Sequence, residues 1–120
     1  MAKRIFLIES NNLFLQKLIF RLKEKGFDIF HAQNFENILE ELGQSQAKVV
    51  ILDLHGLQNK GLEIIKKIKK KLPHVQIIII NDTEHIHLSI KAMQMGVFDD
   101  LYTPFDLNKL IKLINEALDK

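Results

Sequence analysis

The sequence predicts an α/β fold: a doubly wound, five-stranded parallel sheet with five helices, in three α/β/α layers. Three observations predict it. Short apolar runs alternate with helical stripes five times along the chain. The third and fourth runs are apolar at almost every position, as in strands buried on both faces. The stripes fall between consecutive runs, and right-handed crossovers between parallel strands carry such helices over the sheet.

The strands are expected at Arg4 to Ile8, Phe27 to Phe30, Val49 to Leu52 and Val75 to Ile80, with a weaker one around Leu101 and Tyr102. Their length and β-branching favour strand over helix. The first helical stripe is Leu15, Leu18, Ile19 and Leu22, with Asn11 or Asn12 placed to cap it and Gly26 to stop it. Phe35, Ile38, Leu39 and Leu42 form the second, opened by Asn34 and closed by Gly43. The third is Leu62, Ile65, Ile68 and Leu72, ended by Pro73. Ile86, Ile90 and Met93 form the fourth, ended by Gly96. The fifth, Leu107, Leu110, Ile111, Ile114 and Leu118, follows Asp106, a good N-cap.

A chain of 120 residues is the size of one domain, read as residues 1–120, and 47% hydrophobic content with 27% charge suits a packed core. There are no cysteines, so disulfides and thiolate metal sites are excluded. The start MAKRIFLIES is too short an apolar patch for a signal peptide or membrane span, which implies a cytoplasmic address and no membrane partner. A net charge of +2 gives no reason to expect nucleic-acid binding.

One residue interrupts the apolar third run. Asp53 stands at its tip, where an unpaired carboxylate costs several kcal/mol, by order of magnitude, unless it is partnered or opens to water. In parallel α/β sheets the ligand crevice lies at the carboxyl ends of the strands, where the strand order switches. Glu9 and Ser10 follow the first strand, Asp53 ends the third, Asn81 the fourth and Thr103 the fifth, so all five converge on one edge.

These residues and their spacings resemble the response-regulator receiver domain, the phosphoacceptor module of two-component signalling. The match runs from Glu9 to Gly26, from Asp53 through Gly61, and from Asn81 through Gly96 to the Thr103-Pro104-Phe105 turn. The resemblance implies the flavodoxin-like receiver topology and a signalling role rather than an enzymatic one. It implies Asp53 as phosphoacceptor, and Mg²⁺ held by Glu9, Asp53 and the backbone carbonyl of His55, with Ser10 contributing weakly or through water. It also implies a cis Thr103-Pro104 bond and a histidine kinase or phosphotransfer protein as partner. The last strand and helices would be the docking face for other proteins, and a fused output domain would follow the fifth helix.

Several positions depart from the family's pattern. The usual acidic pair after the first strand is Glu9-Ser10, the usual Thr or Ser after the fourth strand is Asn81, the usual Lys before the proline is Thr103, and the usual switch aromatic is Asp100. Losing one acid and one lysine together leaves the formal charge of the empty site at about −2 by count, as in an intact site, while Mg²⁺ is expected to bind weakly or not at all. Asp100 would not fill an apolar slot without a burial penalty. The alternative is a pseudo-receiver, a protein-interaction module independent of phosphorylation, with Asp53 a structural carboxylate. A flavin carrier or small α/β enzyme of similar layout is disfavoured, because its phosphate loop would be ESNN, headed by a carboxylate.

The run KKIKKK, Lys66 to Lys71, reads as the solvated face of the third helix. His85 and His87, two apart, do not share a helix face, so a zinc site is not expected. His55 is expected to overhang Asp53.

Overall fold

The computed structural model describes residues 3–10 and 13–120. The residues offered as caps of the first helix, Asn11 and Asn12, lie outside that set. Five strands, β1 (Lys3–Ile8), β2 (Phe27–His31), β3 (Val49–Asp53), β4 (Gln76–Asn81) and β5 (Asp99–Tyr102), pair in parallel in the order β2-β1-β3-β4-β5. The order reverses between β1 and β3, so the crevice of a doubly wound sheet falls at their carboxyl ends.

Among the described residues there are six α-helices rather than five: α1 (Leu13–Glu24), α2 (Ile38–Ser45), α3 (Leu54–Leu57), α4 (Asn59–Lys71), α5 (Ile86–Gln94) and α6 (Leu107–Leu118). The extra one, α3, is a single turn directly after β3. Asp53 produces it by capping: its carboxylate accepts the Gly56 N–H at 3.1 Å.

Alternation along the strands builds two apolar layers. Phe6, Ile8, Val50, Leu52, Ile77 and Ile79 pack with α2, α4 and α5 on one face. Ile5, Leu7, Val49, Ile51, Ile78 and Ile80 pack with α1 and α6 on the other. The first and fifth stripes point as expected, with Leu15, Leu22, Leu110 and Ile114 fully or nearly fully buried. Asp106 caps α6, accepting the Asn108 N–H at 2.9 Å. Gly26 and Gly96 each stop a helix with φ +93°, which an L side chain rarely adopts.

One expectation about helix ends is corrected, and one helix presents a face that spacing alone leaves open. Asn34 caps a 3₁₀ turn, Phe35–Asn37, and α2 runs on through Gly43 to end at Gln46, whose φ of 59° makes the left-handed stop. The fourth stripe faces outward: Ile86, Ile90 and Met93 are 47%, 55% and 42% exposed, while Leu88, Ser89 and Ala92 are buried. A 3₁₀ turn at Thr83–His85 precedes α5, and buried Asn81 draws the Ser89 side of the helix to the sheet by a 2.7 Å hydrogen bond. Among the described residues, no helix is long and apolar enough to cross a membrane.

Candidate functional site

The carboxyl ends of β1 and β3 bring Glu9, Ser10, Asp53 and His55 together. Asp53 is the last residue of a strand that is apolar at every other position, and it is wholly buried. Its two oxygens are both engaged. Oδ2 accepts the Ser10 hydroxyl at 3.0 Å, and Oδ1 accepts the Gly56 N–H. The imidazole of His55 closes over the same oxygen, with Nδ1 3.0 Å from Oδ1, in an orientation that makes no hydrogen bond. The contact is therefore one of close packing. The answer to the buried carboxylate is a set of short-range partners on α3 and the β1 loop.

Glu9 is less well served. Its Oε2 is buried without a hydrogen-bond partner, and its Oε1 is 4.0 Å from His31 Nδ1. Burial, with the charge of Asp53 added, raises the Glu9 pKa above the ordinary carboxylate value. His31 gives little relief, because burial and then the charge of Lys23 lower its pKa, which leaves the imidazole neutral. Among the described residues, no lysine or arginine forms an ion pair with Glu9 or Asp53. The edge thus holds two carboxylates and no compensating ammonium. Two carboxylates beside a backbone carbonyl form an all-oxygen donor set of the kind hard divalent cations take.

Asn81, Thr103 and Asp100 form no hydrogen bond with Glu9 or Asp53 among the described residues. Asn81 is fully buried at the end of β4, and its Nδ2 donates to the His85 carbonyl and to Ser89 Oγ, both at 2.7 Å. Its Oδ1 is left without a partner. Thr103 leans on the Asn81 backbone: its N–H donates to that carbonyl at 2.9 Å and its hydroxyl at 3.5 Å. The Thr103–Pro104 bond that follows is cis. Asp100 is half-buried within β5, opposite Ile79 in register, and no hydrogen bond or ion pair joins its side chain to Asp53 among the described residues.

Three participants escaped the sequence reading. Gly56 approaches so closely that a Cβ there would collide with Ser10 Oγ and Asp53 Oδ2; its place three residues after Asp53 was the available signal. Ser89 holds Asn81, and only its place among apolar residues of α5 marked it. Asp82 receives His85 Nδ1 at 2.6 Å, and although desolvation pushes its pKa up, the hydrogen bond and charge of His85, with the charge of His55, hold it below the ordinary value.

Comparison with known proteins agrees with this architecture. The family model described as "Response regulator receiver domain" matches residues 5–115. A response regulator of Rickettsia bellii described as NtrX-like is 35% identical over 100 residues, which are 82% of this chain and 21% of that protein. The corresponding Rickettsia felis protein is 30% identical over 117 residues, 96% of this chain and 25% of that protein. The chain therefore spans about a fifth to a quarter of the length of these relatives. Among solved structures, a receiver domain protein of Clostridium thermocellum superposes with a TM-score of 0.86 at 28% identity, covering 99% of this chain and 95% of that one. The receiver domain of NtrX from Brucella abortus gives 0.85 at 23% identity, covering 97% and 98%, a likeness of fold. With nearly the whole chain matched, this protein belongs to the response regulator receiver domain family of two-component systems.

Proposed function

We propose that this domain accepts a phosphoryl group on Asp53 from a histidine kinase or a phosphotransfer protein in the cytoplasm, and that its conformational switch is atypical. One observation carries the reading. Asp53 ends β3 at the strand-order switch, beside a second carboxylate whose buried oxygen lacks a partner, with no lysine or arginine paired to either among the described residues.

The chemistry is a transfer between two nucleophiles. The N–P bond of the donor phosphohistidine breaks, an Asp53 oxygen forms the new O–P bond, and the released imidazole takes up a proton. His55 must first turn aside, because Asp53 is wholly covered; at 24% exposure on a four-residue helix it has room to do so. Glu9, Asp53 and the His55 carbonyl are the groups that would hold Mg²⁺, with Ser10 reaching it through water, and the ion would neutralise charge on the transferring phosphoryl oxygens. The buried, unpartnered Glu9 oxygen fits such an ion. No group of three or more His, Asp or Glu side chains is set to hold a metal among the described residues, so binding would be weak.

The switch would be muted. Thr103 offers a hydrogen bond where the family has an ammonium, which lowers the electrostatic help to transfer. Asn81 would have to release His85 and Ser89 before its amide reached a phosphoryl oxygen. A longer protein with an output domain is the context in which the domain would act, since the relatives are several times longer.

The second reading, a pseudo-receiver that docks a partner without phosphorylation, is favoured by the outward stripe Ile86, Ile90 and Met93 on α5, near Asp99 and Asp100 of β5. Incubation with acetyl phosphate and Mg²⁺ followed by intact mass spectrometry separates the two. A phosphoryl mass gain that Asp53→Asn abolishes supports transfer. No gain from acetyl phosphate or from a phosphorylated kinase supports the pseudo-receiver.

A further inference from the structure

A cavity of about 940 Å³ opens at the end of the sheet opposite Asp53, where β1, β3 and β4 begin. Its rim carries Lys3, Arg4, Lys48 and His74, and none of its described lining residues is acidic. The floor is apolar, built from Leu42, Val75 and Leu118 among others. That size and that mixture, an apolar floor with a few convergent polar groups, are those of small-molecule sites.

The rim groups are short of acceptors. Arg4 Nη1 donates to Gln46 Oε1 at 2.8 Å, but Arg4 Nε is buried and donates to nothing. The residue opposite it in register, Asp28, makes no ion pair with it. Lys48 and His74 use their side chains in no hydrogen bond or ion pair among the described residues, whereas Lys3 is held by Asn115 Oδ1 at 3.1 Å. An Arg4 guanidinium whose Nε has no acceptor in its present orientation loses little by turning toward an anion in the cavity.

We propose that this cavity binds a small organic phosphate, with the phosphate between Arg4 and Lys48 and the apolar body on the floor of Leu42, Val75 and Leu118. Two permanent cations, Arg4 and Lys48, with no acid in the lining match a dianion better than a single carboxylate, and the guanidinium suits phosphate oxygens. The site shares no residue with the Asp53 edge, so it stands independently of phosphoryl transfer.

Phenyl phosphate is the minimal probe, with phenol and inorganic phosphate as its two halves, in an amide NMR titration of the whole chain. Shifts are expected at Gln46, Lys48 and Val75, with phenyl phosphate binding more tightly than either half. Arg4→Gln and Lys48→Gln should each raise its Kd roughly tenfold, the size of one lost charge-assisted hydrogen bond. Asp53→Asn should leave it unchanged. Lys48 is exposed, so its variant keeps the test open even where Arg4→Gln disturbs folding. No shift at these three amides at millimolar phenyl phosphate, shifts confined to the Asp53 edge, or a Kd unmoved by Lys48→Gln would each overturn the proposal.

Discussion

Replacing Glu9 by Gln should stabilise the metal-free domain at neutral pH. Glu9 is 88% buried by side-chain area, counted from its 12% exposure, and its Oε2 has no partner. Burial, and after it the charge of Asp53, both disfavour the Glu9 carboxylate. A buried polar group left unsatisfied costs about 1–3 kcal/mol, and an uncharged isostere is expected to recover about 1–2 kcal/mol of that. The pH dependence has a definite sign. The folded-state pKa of Glu9 is raised above the ordinary value of 4.5, so the folded state holds this proton more tightly than the unfolded chain. The stabilisation by the protonated form is complete below 4.5 and is lost as pH rises through the raised folded value. The Gln variant should therefore gain over the parent at pH 7 and lose that advantage toward acid pH. Urea unfolding in EDTA at neutral and acid pH measures this. A destabilised variant at pH 7, or a gain that persists unchanged in acid, would show that Glu9 is compensated by something other than solvent. With Mg²⁺ added, the parent alone should gain stability.

Further outcomes follow from individual contacts. Gly56→Ala should cost about 1–3 kcal/mol in urea unfolding, the scale of an overpacked site, because the new Cβ meets Ser10 Oγ and Asp53 Oδ2; a neutral result would mean that α3 shifts freely. Ile90→Lys should change stability by less than about 0.5 kcal/mol, since the side chain is 55% exposed, whereas Ile68→Ala, at 0% exposure, should cost about 2–5 kcal/mol. A large loss from Ile90→Lys would mean that Ile90 is buried rather than exposed.

Most of the fold was legible because alternation and run length report burial directly. Val49 to Leu52 and Ile77 to Ile80 are apolar on both faces because helices cover both, and the sequence shows this without any contact map. The α5 face was not legible, for a physical reason. Apolar spacing cannot distinguish a core stripe from a docking stripe, and the decisive interaction, Asn81 to Ser89, joins two polar residues eight apart. The edge residues were legible as a group, since the strand ends fix their position. Their orientation was not, because Asn81 and Thr103 each satisfy local backbone or helix partners that spacing does not reveal. The one-turn α3 arises from an Asp side chain folding back on Gly56, a contact of three residues' reach that no periodicity records.

The most direct test of phosphoryl acceptance at Asp53 is an amide NMR titration with Mg²⁺ and then beryllofluoride, on the parent and on Asp53→Asn. Shifts around Glu9, Asp53 and Asn81 that require both additions and vanish in the variant are the predicted result. No such shifts at millimolar Mg²⁺ would contradict it, and would leave Asp53 as a structural carboxylate in an interaction module.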